Sequence, residues 1–405
     1  MACSPAARLG GHDMSDLQSP TTGKNGAGTA TAGKASEEAP TEATAGADEP
    51  TATRRRSLLP QSTLLRHLLV LLIAAVGAVV LLEITDPFTN SQLATLTYYA
   101  IAAGGLTVLT GMNGQISLGH GALMAVGAYT TALFLSADEP LPLPLILLAA
   151  IVTATAVGAL VGVAAARLHG PYLAGATLAL AVGLPGLAIY FHDVLGGEQG
   201  MRVRAPRAPE AFESFISAVS GNSATNTKWL AYLGAICLLI TYFLLANLIR
   251  SRIGRTWRAV RDQEVAAELA GINLGAWRVL AFVVSAAAAG LAGGVLALVV
   301  RLAAPSGFTL VLSLALLTAI VIGGLGSLLG ALLGSALLVF LPPFVTDLGT
   351  GWGLNNTEAA QLAPFVYGVV LIVAMIFAPA GFVGTLRMRW LTRQAKRSAA
   401  QPSRG

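Results

Sequence analysis

The chain has 405 residues, 55% of them hydrophobic and only 11% charged, and its mean hydropathy is +0.69. A soluble domain carries about 25% charged residues, so this composition excludes an ordinary soluble fold and indicates a chain embedded in lipid. The net charge of +5 is not a nucleic-acid footprint, because the arginines flank apolar runs as they do where basic residues are retained on the cytoplasmic side.

Residues 1–57 are rich in Ala, Thr, Gly, Ser, Glu and Pro and nearly free of large apolar side chains, which predicts a disordered cytoplasmic tail. The first apolar run, His67 to Ile84, follows Arg54, Arg55, Arg56 and Arg66 and is long enough to cross the bilayer. It lies beyond the place of a cleaved signal peptide, so a retained anchor with its N-terminus inside is expected. Further spans are predicted near 93–110, 119–136, 143–166, 172–191, 229–249, 279–300, 309–325, 328–345 and 364–380. The fold class is therefore all-α, a polytopic bundle of about ten transmembrane helices filling a domain over 63–385, with both termini cytoplasmic.

Counting inward and outward from the first span puts Arg167, the 250–278 segment and the basic tail over 386–405 on the cytoplasmic side. The 192–228 and 346–363 loops then lie outside. Cys3 and Cys237 are too few and too differently placed for a disulfide framework.

Glycine is frequent inside the spans, 45 residues in all, and the pairs Gly158/Gly162, Gly290/Gly294 and Gly326/Gly330 predict close helix packing. The stretches 111–121 and 323–334 both break apolar sequence with glycine and look weakly alike, which leaves room for an internal repeat. The first opens GMNGQISLGHGALMAVGAYTTA, residues 111–132, which puts Asn113, Gln115, Ser117, His120, Tyr129 and Thr130 at or near membrane depth. Polar side chains are costly against lipid, so these face either a translocation path or other helices. For His120 by itself a packed, hydrogen-bonded histidine is the expectation.

Arg250 to Arg278 is the one long charged interruption of the apolar sequence. Gly254 opens a predicted helix over 255–270 and Gly271 stands where a left-handed cap belongs. Trp257, Val260, Glu264, Ala267 and Gly271 share one side of that helix, and Arg258 and Asp262 are spaced to pair. Such a segment is either a solvated connector or a docking element for a soluble partner.

Enzyme readings find no support: there is no HExxH, no GxSxG, and Ser117 near His120 does not make a hydrolase. Lys24, Lys34, Lys228 and Lys396 are the only lysines and none sits in a P-loop, so no nucleotide, cofactor or metal is expected on this chain. The spans offer few carboxylates beyond Glu83 and Asp193 near their ends, which weighs against a channel or secondary transporter coupled to protons or sodium.

Two stretches together resemble a known family. GRTWRAVRDQEVAAELAGINLGAWRVLAFVVSAAAAGLAGGVLA is similar to the cytoplasmic loop and following span of permease subunits of bacterial branched-chain amino-acid ABC importers, and residues 111–132 resemble their early signature. GGEQGMRVRAPRAP resembles their external loop and PSGFTLVLSLALLTAIVIGGLGSLLGALLGSAL their late spans, so the likeness runs from about Leu93 to Phe382.

The resemblance implies a multi-pass permease of the plasma (cell inner) membrane. Its partners would be a second homologous permease, two cytoplasmic ATP-binding subunits, an extracellular or periplasmic solute-binding protein and the lipid bilayer, with no nucleic acid. It also implies an ATPase-coupling element at Arg258, Glu264, Ala266, Ala267 and Gly271, in which Asp262-Gln263 departs from the family's usual second acidic residue. The same scaffold in relatives moves urea, short amides or other small polar solutes, which stays open as the alternative cargo.

Overall fold

The computed structural model of the chain describes residues 63–139, 141–168, 171–220, 225–377 and 381–385, with Met388 and Thr392. The tail expected over 1–57 and nearly all of the basic tail lie outside the described residues. Each apolar run becomes a helix. They are α1 (Thr63–Ile84), α2 (Pro87–Leu106, prolonged by a π-helical turn Thr107–Met112), α3 (His120–Leu135), α4 (Leu143–Ala166) and α5 (Pro171–Tyr190). A short α6 (His192–Leu195) and an amphipathic α7 (Glu210–Ser220) follow, then α8 (Asn226–Arg250), α9 (Arg252–Asp262) and α10 (Glu264–Leu269). The chain continues through α11 (Leu274–Val300), α12 (Leu310–Gly323), α13 (Leu328–Gly351) and α14 (Asn356–Phe377).

Among the described residues eight helices are long and apolar enough to cross a membrane, and α3 is a shorter apolar helix of 16 residues. The chain is a polytopic helical membrane bundle. At 1.5 Å per residue α3 rises about 24 Å, short of a hydrocarbon core of about 30 Å. The irregular segment 113–119 that precedes α3 is therefore the natural complement of its missing length.

Two expectations are corrected. The outer loop expected over 346–363 is much shorter, because α13 runs on to Gly351 and α14 begins at Asn356. The helix expected over 255–270 is broken at Gln263, whose extended backbone (φ −154°, ψ 90°) separates α9 from α10 and makes an elbow.

At the centre stands α11, packed on α2, α3 and α4. Its run SAAAAGLAGG offers almost no side-chain bulk, so neighbouring backbones come very close. A Cβ on Gly127 of α3 would lie 2.7 Å from Gly290 Cα, and one on Gly162 of α4 would lie 2.9 Å from Phe282 Cβ. Gly158, Gly162, Gly290 and Gly294 thus act as contact points between α11 and its neighbours, as their spacing predicts.

The two ends of the bundle are distinct. At one end Met201–Arg202 pairs antiparallel with Leu302–Ala303, joining the segments that follow α5 and α11. Phe212 and Ile216 of α7 pack there against Tyr232 and Trp229. Asp86 caps α2 by accepting from the amides of Phe88 and Thr89, and its hydrogen bonds to Thr89 hold its carboxyl below the usual range. At the other end lie the π-turn of α2, the last turns of α4 and α8, the α9–α10 elbow and the α12–α13 loop, around Trp257, Leu109, Met112 and Phe282.

Candidate functional site

The site begins where α2 loses its regular pitch. The π-turn sends the Asn113 amide to the Val108 carbonyl and the Gln115 amide to the Leu109 carbonyl, and Gly114 then takes φ +80°. A residue with a Cβ is strained in that left-handed region, so glycine permits the reversal. Thr110 Oγ1 donates to the Gln115 carbonyl at 2.9 Å, the Leu118 amide donates to Thr177 Oγ1 of α5 at 3.0 Å, and the Gly121 amide donates to Ser313 Oγ of α12 at 2.9 Å. The backbone of 113–121 is thereby fixed to α2, α5 and α12.

Its side chains are not satisfied in the same way. Asn113, Gln115 and Ser117 are buried, and Asn113 Oδ1, both amide atoms of Gln115 and Ser117 Oγ have no hydrogen-bond partner among the described residues. Leaving such groups unpaired costs about 1–3 kcal/mol each, and a cluster of them marks a place where stability yields to another requirement. The remaining candidates divide. Tyr129 is buried, its hydroxyl without a partner among the described residues and its ring 6.3 Å from that of Phe308. Thr130 Oγ1 lies 2.9 Å from Thr153 Oγ1 and bridges α3 to α4. His120 is fully buried, with Nε2 3.0 Å from the Ala102 carbonyl and Nδ1 3.5 Å from Ser285 Oγ.

The second half of the site is the elbow. Ser251 caps α9 through the Ile253 amide. Trp257 and Val260 are buried, and Trp257 Nε1 donates to the Trp277 carbonyl at 3.0 Å. The expected Arg258–Asp262 pair does not form: Arg258 Nε donates to the Gly254 carbonyl, while Asp262 accepts from both Nε and Nη2 of Arg261. Adjacent guanidinium and carboxylate groups at the broken end of α9 outcompete a one-turn pairing worth a few tenths of a kcal/mol.

On α10, Ala267 is buried and Ala266 is exposed. Glu264 Oε1 accepts from Arg278 Nη2 at 2.6 Å. The helix closes at Gly271, φ +82°, whose amide donates to the Glu268 carbonyl while the Ile272 amide donates to that of Ala267. That is the double bond of a Schellman cap. Val265 and Leu269, one turn apart on α10, are 71% and 85% exposed, a pair of large apolar side chains uncovered by any described residue.

The two halves touch. Arg261 Nη1 donates to the Gly111 carbonyl at 2.5 Å, and Asn113 Nδ2 reaches the same Trp277 carbonyl that receives Trp257, at 3.5 Å. Sequence reasoning did not single out Arg261, Arg278, Trp277, Thr177 or Ser313. Arg278 alone carried a signal, since an arginine at the start of an apolar run demands a partner.

The chain matches the family model described as branched-chain amino acid transport system / permease component over residues 89–375. It belongs to that family. The matched stretch holds both halves of the site. The chain is 29% identical to the high-affinity branched-chain amino acid transport system permease protein LivM of Escherichia coli, over 76% of this chain and 74% of the relative. It is 27% identical to BraD of Pseudomonas aeruginosa and 26% to LivH of Escherichia coli, each over 71% of this chain and 91% of the relative. No solved structure matches it significantly. The family is one of transport permeases and not of enzymes, and the chain is an integral, multi-pass membrane protein.

Proposed function

We propose that the chain is a permease subunit of an ATP-driven importer for branched-chain amino acids in the plasma membrane, with both termini and the α9–α10 elbow on the cytoplasmic side. It works with a second homologous permease, two cytoplasmic ATP-binding subunits and an external solute-binding protein. The observation that carries this reading is the family match over 89–375, reinforced by relatives whose names all state branched-chain amino acid transport. Val265 and Leu269, exposed on a short helix between two spans, supply the apolar knobs an ATP-binding subunit would cover, with Ala266 and Gly271 beside them in sequence and Arg258 exposed on the preceding helix.

The unpaired polar groups of Asn113, Gln115 and Ser117 supply a reason for a polar solute to pass there, since they gain partners only when something hydrogen-bonds to them. Coupling to protons or sodium is disfavoured: Glu83, one of the few carboxylates in the described spans, already accepts from Lys228 Nζ and Tyr232. In the rocking mechanism we infer, closure of the ATP-binding subunits moves the elbow and switches the path between outward and inward access.

The test is reconstitution of the whole assembly in proteoliposomes. Leucine should accumulate only with ATP inside and binding protein outside. Accumulation by the isolated chain without ATP would refute the proposal.

A further inference from the structure

Among the described residues the hydrogen bond between the elbow and the end of α2 is made by one side chain, beside the packing of Trp257 on Leu109 and Met112. Arg261 sits at the C-terminal end of α9, one turn beyond Trp257, whose indole holds α9 to α11. Its stem lies over Gly114, where a Cβ would come within 2.9 Å of Arg261 Cγ. Its Nη1 donates to the Gly111 carbonyl, while Asp262 Oδ1 occupies Nε and Nη2 and fixes the plane of the guanidinium. Gly111 in turn packs backbone to backbone on the loop between α12 and α13, because a Cβ there would lie 2.8 Å from Gly326 Cα. Gly326, like Gly114, has φ +80°.

We propose that Arg261 is the strut that carries displacement of the elbow into the membrane, gripping the π-turn of α2 and through it the Gly326 turn between α12 and α13. The proposal rests on the importer reading and names the positioning residue of its stroke. The chemistry suits the task. The carbonyls at a helix end lack intrahelical partners and carry the negative end of the helix dipole, so a guanidinium there makes a strong, directional, charge-assisted bond. A π-turn is a weak point in a helix and recurs where helices must deform. Trp257 gives α9 a pivot on α11 and Arg261 gives it a lever arm one turn away. A swing of the elbow therefore pulls directly on Gly111, while Glu264 holds the far limb of the elbow to Arg278 of α11. Asp262 serves as the orienting partner, and at its place next to Gln263 it is the last residue before the elbow bends.

The experiment uses the complete transporter in proteoliposomes, reading leucine uptake and ATP hydrolysis in the same preparation. Arg261→Gln should recover ATP-binding subunits in wild-type amounts and keep its melting temperature, while uptake per ATP hydrolysed falls by about tenfold. Arg261→Lys keeps one donor within reach of the Gly111 carbonyl and should restore part of the ratio. Asp262→Asn, which leaves the strut in place but loosens its aim, should give an intermediate ratio and stands in if Arg261→Gln fails to accumulate.

Spin labels at the exposed Gln263 and Leu325 give an independent readout. ATP should shift both environments in the wild type but only that of Gln263 in Arg261→Gln. Wild-type uptake per ATP in Arg261→Gln, or a Leu325 label that still responds, overturns the strut. Failure of the unmutated chain to recover any ATP-binding subunit would instead overturn the importer reading, an outcome no Arg261 variant can mimic.

Discussion

Glu264 and Arg278 form an ion pair that closes the elbow onto α11: Oε1 lies 2.6 Å from Nη2, with the Arg278 side chain 7% and the Glu264 side chain 49% exposed. The arginine is the committed partner and the glutamate keeps one face to water. The residue that resemblance assigns to ATPase coupling therefore also anchors the elbow.

Separating those two roles needs Leu269, which is exposed and forms no part of the ion pair. Leu269→Asp should leave stability within about 0.5 kcal/mol of wild type while recovery of ATP-binding subunits falls by about tenfold. Glu264→Lys should lose both, since it sets two cations side by side and leaves Arg278 without its counter-charge. Copurification and thermal melting in detergent read the two quantities separately.

Lys228 and Glu83 join α8 to α1 at 2.5 Å, both largely shielded, with Tyr232 completing the carboxylate at 2.7 Å. Removing either partner alone should destabilise the protein by about 3–5 kcal/mol, because a charge is left buried without compensation. The double variant Lys228→Met with Glu83→Gln should cost far less than the two losses added. A double-mutant cycle on melting temperature checks this, and simple additivity would show that the ion pair is not the unit.

Gln115→Leu exchanges a buried amide with no partner among the described residues for a side chain of similar size that needs none. Stability read by thermal melting should stay level or rise by about 1 kcal/mol, while leucine uptake falls by about tenfold or more. Asn113→Leu should behave likewise with a smaller stability gain, since its Nδ2 bond to the Trp277 carbonyl is lost. Unchanged uptake in both would make these residues packing elements of the α2–α3 hairpin.

Two glycines in spans should respond oppositely to one methyl group. Gly127→Ala drives a Cβ into the Gly290 backbone and should destabilise by about 1–3 kcal/mol. Gly183→Ala on α5 meets nothing within 4 Å and should stabilise by about 0.5–1 kcal/mol through helix propensity alone. Thermal melting of the two variants in one detergent suffices.

The spans were legible because apolar runs of sufficient length have one solution in lipid, and the glycine pairs were legible because backbones approach only where side chains vanish. The break at Gln263 was not. Residues 255–270 contain no glycine or proline, and the propensities of QEVAAEL favour continuing the helix. The contacts on either side of the break are tertiary: Trp257 ties α9 to the Trp277 carbonyl and Arg278 draws Glu264 toward α11, partners that lie beyond the segment and that its propensities do not report. The unusual character of 111–120 was visible in its polar residues. Which of them are spoken for was not, since Thr130 finds Thr153 on α4 and His120 finds the Ala102 carbonyl on α2, pairings that spacing cannot reveal.

Helix α1 leans chiefly on α8, held by Glu83 to Lys228 at one end and by His67 Nδ1 to Asn247 Oδ1, 2.6 Å, at the other, with Leu68, Leu72, Ile73, Val76 and Val80 between them turned outward. The stretch shared with the family starts only after it, at residue 89. The first span is thus a buttress riveted to the flank of the bundle, and the outward side chains between its two ties can change without disturbing the packing within.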